Sequence, residues 1–168
     1  MIKDEAISTG DIGVVVRPGG KLGKLISLFT SKLHTFHFVR EYGKLYVYEM
    51  SNEITRSLYS STYANLNNWE LLKPNIPYTE TQKARCVKFS TRAYQIGYKY
   101  DTCTLIKHGL FEISGRMPLE TKDDKKLICS QLTALMANYC EPYSFGAEET
   151  ISPEIVYKSK KYYKVKNN

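Results

Sequence analysis

The chain has 168 residues, of which 42% are hydrophobic, 24% charged and 12% aromatic, with a formal net charge of +7 at pH 7. This composition excludes a disordered chain, and the length predicts one domain over residues 1–168 with its own core. No run approaches the roughly 20 apolar residues of a membrane-spanning helix. The N-terminus lacks a basic region followed by an apolar run, so we expect no signal peptide, a cytoplasmic location and reduced cysteines.

The first third of the chain begins with a strand and a turn. Residues 10–17 (GDIGVVVR) are rich in valine and predict a short buried strand. The RPGGK segment that follows is typical of a turn. Apolar residues spaced along residues 22–33 then predict a short amphipathic helix.

Next comes a β-hairpin pattern. Residues 36–40 and 45–50 are rich in β-branched and aromatic side chains and flank Gly43. A turn centred near Gly43 pairs residues whose numbers sum to about 86. It therefore predicts that His37 lies opposite Glu49, with Cβ atoms ~5 Å apart, close enough for the carboxylate to orient the imidazole.

Two longer helices are predicted in the rest of the chain. Thr79 and Gln82 form a capping-box pattern, and Gly97 is a helix stop. Apolar spacing over residues 127–139 predicts a second helix that ends before Pro142.

Shorter strands and a basic end complete the predicted elements. Strands are predicted at residues 69–73 and near residues 155–157. Residues 157–168 contain five lysines and no acidic residue. This segment is either a solvated, frayed tail or a weak contact for nucleic acid or another anionic surface. No nucleic-acid-binding motif accompanies it, so we expect no specific nucleic-acid partner.

Cys129 is the candidate nucleophile because it falls in the first turn of the second predicted helix. The positive end of a helix favours thiolate over thiol, and the thiolate is the reactive form. A histidine base is also needed, and the chain has His34, His37 and His108. Of these, only His37 has a carboxylate, Glu49, placed by the hairpin to hold it.

The remaining candidate groups receive structural interpretations. Cys86, Cys103 and Cys140 are expected to be structural, and the cysteine spacing matches no zinc pattern, so we expect no metal and no cofactor. Asp11 is expected to brace the first strand.

Four motifs occur in order with matching spacing and resemble the circularly permuted NlpC-type papain-like family, which is related to the lecithin:retinol acyltransferase group. They are Gly10-Asp11-Ile12, the hairpin from His37 to Glu49, the Gly97–Asp101 turn and Ile128–Leu132. The resemblance spans roughly residues 10–140. Two departures are Gln131, where the family often has Glu, and Phe36 before the histidine. His34 is therefore an alternative to His37 as the aligned histidine.

The resemblance implies an α+β, permuted papain-like fold in which an antiparallel sheet packs against the cysteine helix. It also implies a catalytic triad of Cys129, His37 and Glu49 that acts through a thioester on an amide, peptide or ester bond. The backbone N–H of Cys129 would form the oxyanion hole, with Tyr100 and Ser130 as candidate additional donors.

Three functions of different classes follow. The first is a thiol hydrolase or acyltransferase, with an amide or peptide substrate favoured because the sequence lacks the apolar membrane-binding segments of lipid-acting relatives. The second is a binding protein that keeps the fold without turnover. The third is a nucleic-acid or anionic-surface binder that uses the lysine-rich tail.

Overall fold

The computed structural model describes residues 2–16, 34–101, 126–142, 144–145 and 151–165. The helix predicted over residues 22–33 lies outside the described residues, as do Cys103 and His108. Eight strands are present among the described residues: β1 Ile12–Val15, β2 His34–Glu41, β3 Lys44–Met50, β4 Ile54–Leu58, β5 Trp69–Pro74, β6 Lys99–Tyr100, β7 Lys126–Leu127 and β8 Tyr162–Val165.

Four α-helices occupy the described residues. They are α1 Tyr59–Thr62, α2 Glu80–Ile96, α3 Cys129–Cys140 and α4 Pro153–Lys158. Six strands form one antiparallel sheet in the order β4-β3-β2-β1-β5-β8, and β6 pairs with β7 in parallel. The predicted α+β class, with an antiparallel sheet against the cysteine helix, is confirmed. None of the described helices is long and apolar enough to cross a membrane.

The β2–β3 hairpin turns through two residues, Tyr42 and Gly43, with φ of 49° and 75°. Positive φ at both central positions is typical of the type I′ turn, whose twist matches that of the paired strands. The resulting register places Phe36 opposite Glu49 and His37 opposite Tyr48. The predicted pairing of His37 with Glu49 is therefore wrong by one residue, and a slip of one residue moves side chains to the other face.

An aromatic cluster covers one face of the sheet. Phe36 stacks on Tyr63 at 4.0 Å between ring centroids, and Trp69 meets both rings edge-on. Gly13 lies under the Phe36 ring so closely that a Cβ there would overlap it. This cluster fixes the positions of α1 and Tyr63 beside β2 and β3.

Helix α2 packs on the other face of the sheet, where Ser90 contacts His37, and α3 packs against α2 and β2. Helix α2 begins at the predicted capping box, in which Thr79 and Gln82 satisfy each other's backbone N–H groups. It ends at Gly97, whose φ of 70° is the left-handed conformation expected of a glycine C-cap. The predicted boundaries of this helix are confirmed.

A disulfide joins the two helices. Cys86 of α2 and Cys140 at the end of α3 are bonded, with 5.5 Å between their Cα atoms. Both residues are fully buried in the core between the helices. The expectation that the cysteines are all thiols is therefore wrong for this pair, because tertiary packing brings together two residues 54 positions apart.

The end of the described chain is ordered. The strand predicted near residues 155–157 is wrong, because these residues belong to α4, where Ser152 caps the helix and Pro153 occupies its first turn. Strand β8 follows and pairs with β5 at the sheet edge. Residues 157–165 of the lysine-rich segment are thus part of the fold and not a frayed tail.

Candidate functional site

Cys129 is the first residue of α3 and is 1% exposed. The N–H of the preceding residue, Ile128, donates to Oε1 of Gln131 at 2.9 Å, which caps the first turn. The first N–H groups of a helix have no partner within the helix, and the helix dipole places positive charge there. The thiol therefore lies where a negative charge on sulfur is stabilised.

His34 is the histidine that accompanies Cys129. It begins β2, and its Nε2 lies 2.8 Å from Oε2 of Glu49. The ring is also close enough to the Cys129 sulfur for the two groups to shift each other's pKa.

Glu49 reaches His34 along the sheet surface. Glu49 lies opposite Phe36 in the hairpin. Phe36 is two residues after His34, so the side chains of His34 and Glu49 are on the same face. Diagonal neighbours of this kind are within reach of long side chains. Oε2 of Glu49 also accepts a 2.7 Å hydrogen bond from the hydroxyl of Tyr63.

The electrostatics favour a thiolate–imidazolium pair. Burial raises the pKa of Cys129, but the charge and hydrogen bond of His34 and the backbone and hydroxyl of Thr35 outweigh burial and lower this pKa below its ordinary value. Burial likewise opposes charge on His34, yet Cys129 and Glu49 raise its pKa to about 10. Burial raises the pKa of Glu49, but His34 and Tyr63 bring it below its usual value.

Tyr100 lies against the same sulfur. Burial, followed by the charge and hydrogen bond of Cys129, raises the pKa of the Tyr100 hydroxyl well above its usual value. The hydroxyl therefore stays protonated and can donate to an anion. Tyr100 thus lies near Cys129, and its part in an oxyanion hole stays a prediction.

His37 is not part of this group, and its placement with Glu49 is corrected. It is fully buried on the opposite face of β2, where Nε2 hydrogen-bonds Oγ of Ser90 at 2.8 Å and the ring stacks on Tyr48. Burial lowers its pKa to about 3, so the ring is neutral. The alternative histidine, His34, occupies the position facing Glu49 and Cys129.

Ser130 and Asp11 have structural positions. The hydroxyl of Ser130 donates to the carbonyl of Ile151 at 2.6 Å and is fully buried, so it supports packing instead of the predicted oxyanion hole. Asp11 accepts from the backbone N–H of Ser8 at 2.8 Å and pairs with Lys73 at 2.7 Å. The expected bracing role of Asp11 is confirmed by these contacts.

Sequence reasoning missed two groups at the site. Thr35, which lowers the pKa of Cys129, and Tyr63, whose hydroxyl donates to Glu49, belong to no motif. The correct register depends on the two-residue turn at Tyr42-Gly43, which makes paired residue numbers sum to 85. Tyr-Gly is not one of the residue pairs that mark this turn in a sequence.

In the described part of the chain, no group of three or more His, Cys, Asp and Glu residues is arranged to hold a metal ion. The combination of thiol, imidazole and carboxylate instead has the order of a nucleophile, a base and an orienting group.

Comparison with known proteins finds no family model that matches the chain and no match among curated proteins. The fold is similar to a solved structure described as metalloprotein yiiX from Escherichia coli O157:H7, DUF1105. The sequences are 16% identical, the alignment covers 96% of this chain and 98% of that chain, and the TM-score is 0.61. This likeness concerns the fold alone.

These comparisons correct the family assignment made from the motifs. With no matching family model, and with structural similarity to a DUF1105 metalloprotein, membership of the circularly permuted NlpC-type papain-like family is wrong as a conclusion from short motifs. The permuted papain-like detail of the fold is not confirmed. The site stands apart from that assignment, because it rests on the 2.8 Å contact between His34 and Glu49, the helix start at Cys129 and the electrostatic interaction of His34 with Cys129.

Proposed function

We propose that this protein is a cysteine-dependent hydrolase or acyltransferase that acts on an amide, peptide or ester bond through a thioester on Cys129. The observation that carries the proposal is the placement of Cys129 at a helix start beside the His34 ring, whose Nε2 is 2.8 Å from Glu49. In this proposal His34 has the role of the base that was predicted for His37.

The reaction begins with attack of the Cys129 thiolate on the substrate carbonyl carbon. A tetrahedral oxyanion forms, and in this proposal the backbone N–H groups at the start of α3 and the Tyr100 hydroxyl donate hydrogen bonds to it. As the C–N or C–O bond breaks, the imidazolium of His34 gives its proton to the leaving amine or alcohol, and an acyl thioester remains.

The second half of the reaction restores the thiolate. Neutral His34 removes a proton from water or another acceptor, which attacks the thioester carbonyl. The C–S bond breaks, the acid or transferred acyl product leaves, and the proton stays on His34. Glu49 holds the imidazole in one orientation throughout and stabilises its positive charge whenever His34 is protonated.

An amide or peptide substrate is favoured over a lipid ester. The sequence contains no long apolar run that would hold the chain at a lipid surface.

The cytoplasmic location stays a prediction, and the Cys86–Cys140 disulfide favours an oxidising compartment instead.

The test is the pH dependence of alkylation by iodoacetamide, with the labelled cysteine located by mass spectrometry. We expect the alkylation midpoint of Cys129 to lie below the roughly 8.5 of a free thiol. His34→Asn should move the midpoint upwards. His37→Asn, the matched change three residues along the same strand, should leave it in place.

A midpoint near that of a free thiol in the folded protein would overturn the proposal and favour a binding protein without turnover. So would a His34→Asn variant with the wild-type midpoint. If the midpoint is low and depends on His34, a second experiment looks for the thioester. Incubation with peptide, amide and ester substrates should give an acylated Cys129 that intact-protein mass spectrometry detects. Because the solved neighbour is described as a metalloprotein, the assay is repeated with a chelator. Loss of acylation there would contradict a metal-free mechanism.

A further inference from the structure

The hydroxyl of Tyr63 is the feature of the site that the proposed mechanism leaves without a part. Tyr63 follows α1 and is 7% exposed. Its hydroxyl donates to Oε2 of Glu49 at 2.7 Å, the same oxygen that lies 2.8 Å from His34. A chain of polar contacts therefore runs from Tyr63 through Glu49 and His34 to Cys129.

We propose that Tyr63 is a positioning residue that keeps Glu49 ionised and aimed at His34. The inference rests on the proposed function and identifies a member of the same site. Tyr63 acts through Glu49, and its role is distinct from that of Tyr100, which contacts the sulfur itself.

The ring of Tyr63 is fixed independently of its hydroxyl. It stacks on Phe36 with centroids 4.0 Å apart and an interplanar angle of 23°, and it meets Trp69 edge-on at 6.2 Å. The indole N–H of Trp69 donates to the backbone carbonyl of Tyr63 at 3.2 Å. Because Phe36 is also the cross-strand partner of Glu49, the same ring contact positions both the donor and the acceptor.

The hydroxyl opposes the cost of burying the carboxylate. Burial is the largest influence on Glu49 and favours its neutral form, whereas the hydrogen bonds from His34 and Tyr63 favour the carboxylate. Burial and the adjacent Glu49 raise the pKa of Tyr63 well above its ordinary value, so the phenol remains a donor. If Glu49 were less ionised, it would stabilise the imidazolium of His34 less. The imidazolium would then stabilise the Cys129 thiolate less.

The experiment compares Tyr63→Phe with Tyr59→Phe in the alkylation assay. Tyr59 is a matched control because it lies in α1, belongs to the same aromatic cluster and donates its hydroxyl to the carbonyl of Ile2 at 2.7 Å. We expect Tyr63→Phe to raise the Cys129 midpoint by about half a pH unit, since one hydrogen bond to a charged group is lost. Tyr59→Phe should leave the midpoint unchanged.

A double variant tests whether Tyr63 acts through Glu49. In a Glu49→Gln background, Tyr63→Phe should shift the midpoint no further. An unchanged midpoint in Tyr63→Phe, an equal shift in Tyr59→Phe, or a full further shift in the double variant would each overturn the inference. If the wild-type midpoint is low and Tyr63→Phe leaves it unchanged, only the inference about Tyr63 is wrong. If the wild-type midpoint is that of a free thiol, the proposed function is wrong as well.

Discussion

His34 and His37 belong to the same strand yet face opposite sides of the sheet and have opposite electrostatic environments. Nε2 of His34 lies 2.8 Å from Oε2 of Glu49, and Cys129 and Glu49 together raise the pKa of His34 to about 10. His37 is enclosed beside Ser90, and burial lowers its pKa to about 3. One strand thus supplies a charged imidazole to the candidate site and a neutral one to the core.

Glu49→Gln should weaken the activated pair while preserving the side-chain shape. With the negative charge removed, the imidazolium of His34 is less stable and the pKa of Cys129 rises. We expect the alkylation rate of Cys129 at pH 6 to fall about tenfold, as for a shift of one pKa unit.

Glu41→Gln is the matched control for this change. Glu41 is on the same hairpin, but its carboxylate accepts from Tyr48 and pairs with Arg56. A rate for Glu49→Gln equal to that of Glu41→Gln would show that Glu49 does not support the thiolate.

His37 should make the protein less stable in mild acid. The unfolded chain binds a proton at this histidine near pH 6.5, whereas the folded chain binds it only near pH 3. The unfolded state therefore carries more protons between these values, so stability falls as the pH falls, by about 1.4 kcal/mol per unit.

Urea unfolding at pH 7, 6 and 5 measures this dependence. His37→Asn should flatten the loss, because the titrating group is gone. His34 has the opposite effect on the pH dependence of stability. Its stabilising contribution is complete below pH 6.5 and is lost as the pH rises towards about 10. Equal acid sensitivity in the wild type and His37→Asn would show that His37 is not buried as a neutral ring.

The Cys86–Cys140 disulfide should stabilise the protein by about 2–4 kcal/mol, because it closes a long loop of the unfolded chain. Dithiothreitol should lower the urea midpoint of the wild type and leave that of Cys86→Ser/Cys140→Ser unchanged. Because Cys140 is at the other end of α3 from Cys129, the alkylation midpoint of Cys129 should be unchanged. If Cys86 and Cys140 are alkylated without reductant in the folded protein, the disulfide is absent.

Local sequence rules predicted the elements whose signals are local. The capping box at Thr79 and the glycine stop at Gly97 defined α2 because both act within one helical turn. The hairpin itself was also predicted. Its register was missed by one residue because the sequence pattern did not reveal that Tyr42 adopts positive φ together with Gly43.

Tertiary contacts account for most of what the sequence did not predict. The disulfide depends on the approach of α2 to α3, and the Tyr63–Glu49 contact depends on stacking against Phe36. Residues 155–157 have β-type composition, yet Ser152 and Pro153 start a helix there. Cys129 was located correctly at the helix start, since periodicity and the first turn are visible in the sequence.

Helix α3 has a cysteine at each end, and this has a consequence for oxidative damage. Cys129 and Cys140 are its first and last residues, separated by about 17 Å along the axis, far beyond the roughly 7 Å limit for a disulfide. Cys140 is already bonded to Cys86. Neither Cys86 nor Cys140 therefore offers a free thiol that could form a disulfide with a sulfenic acid produced on Cys129 by peroxide. Without a thiol from elsewhere, continued exposure would carry the sulfur on to sulfinic acid, a permanent loss of the nucleophile.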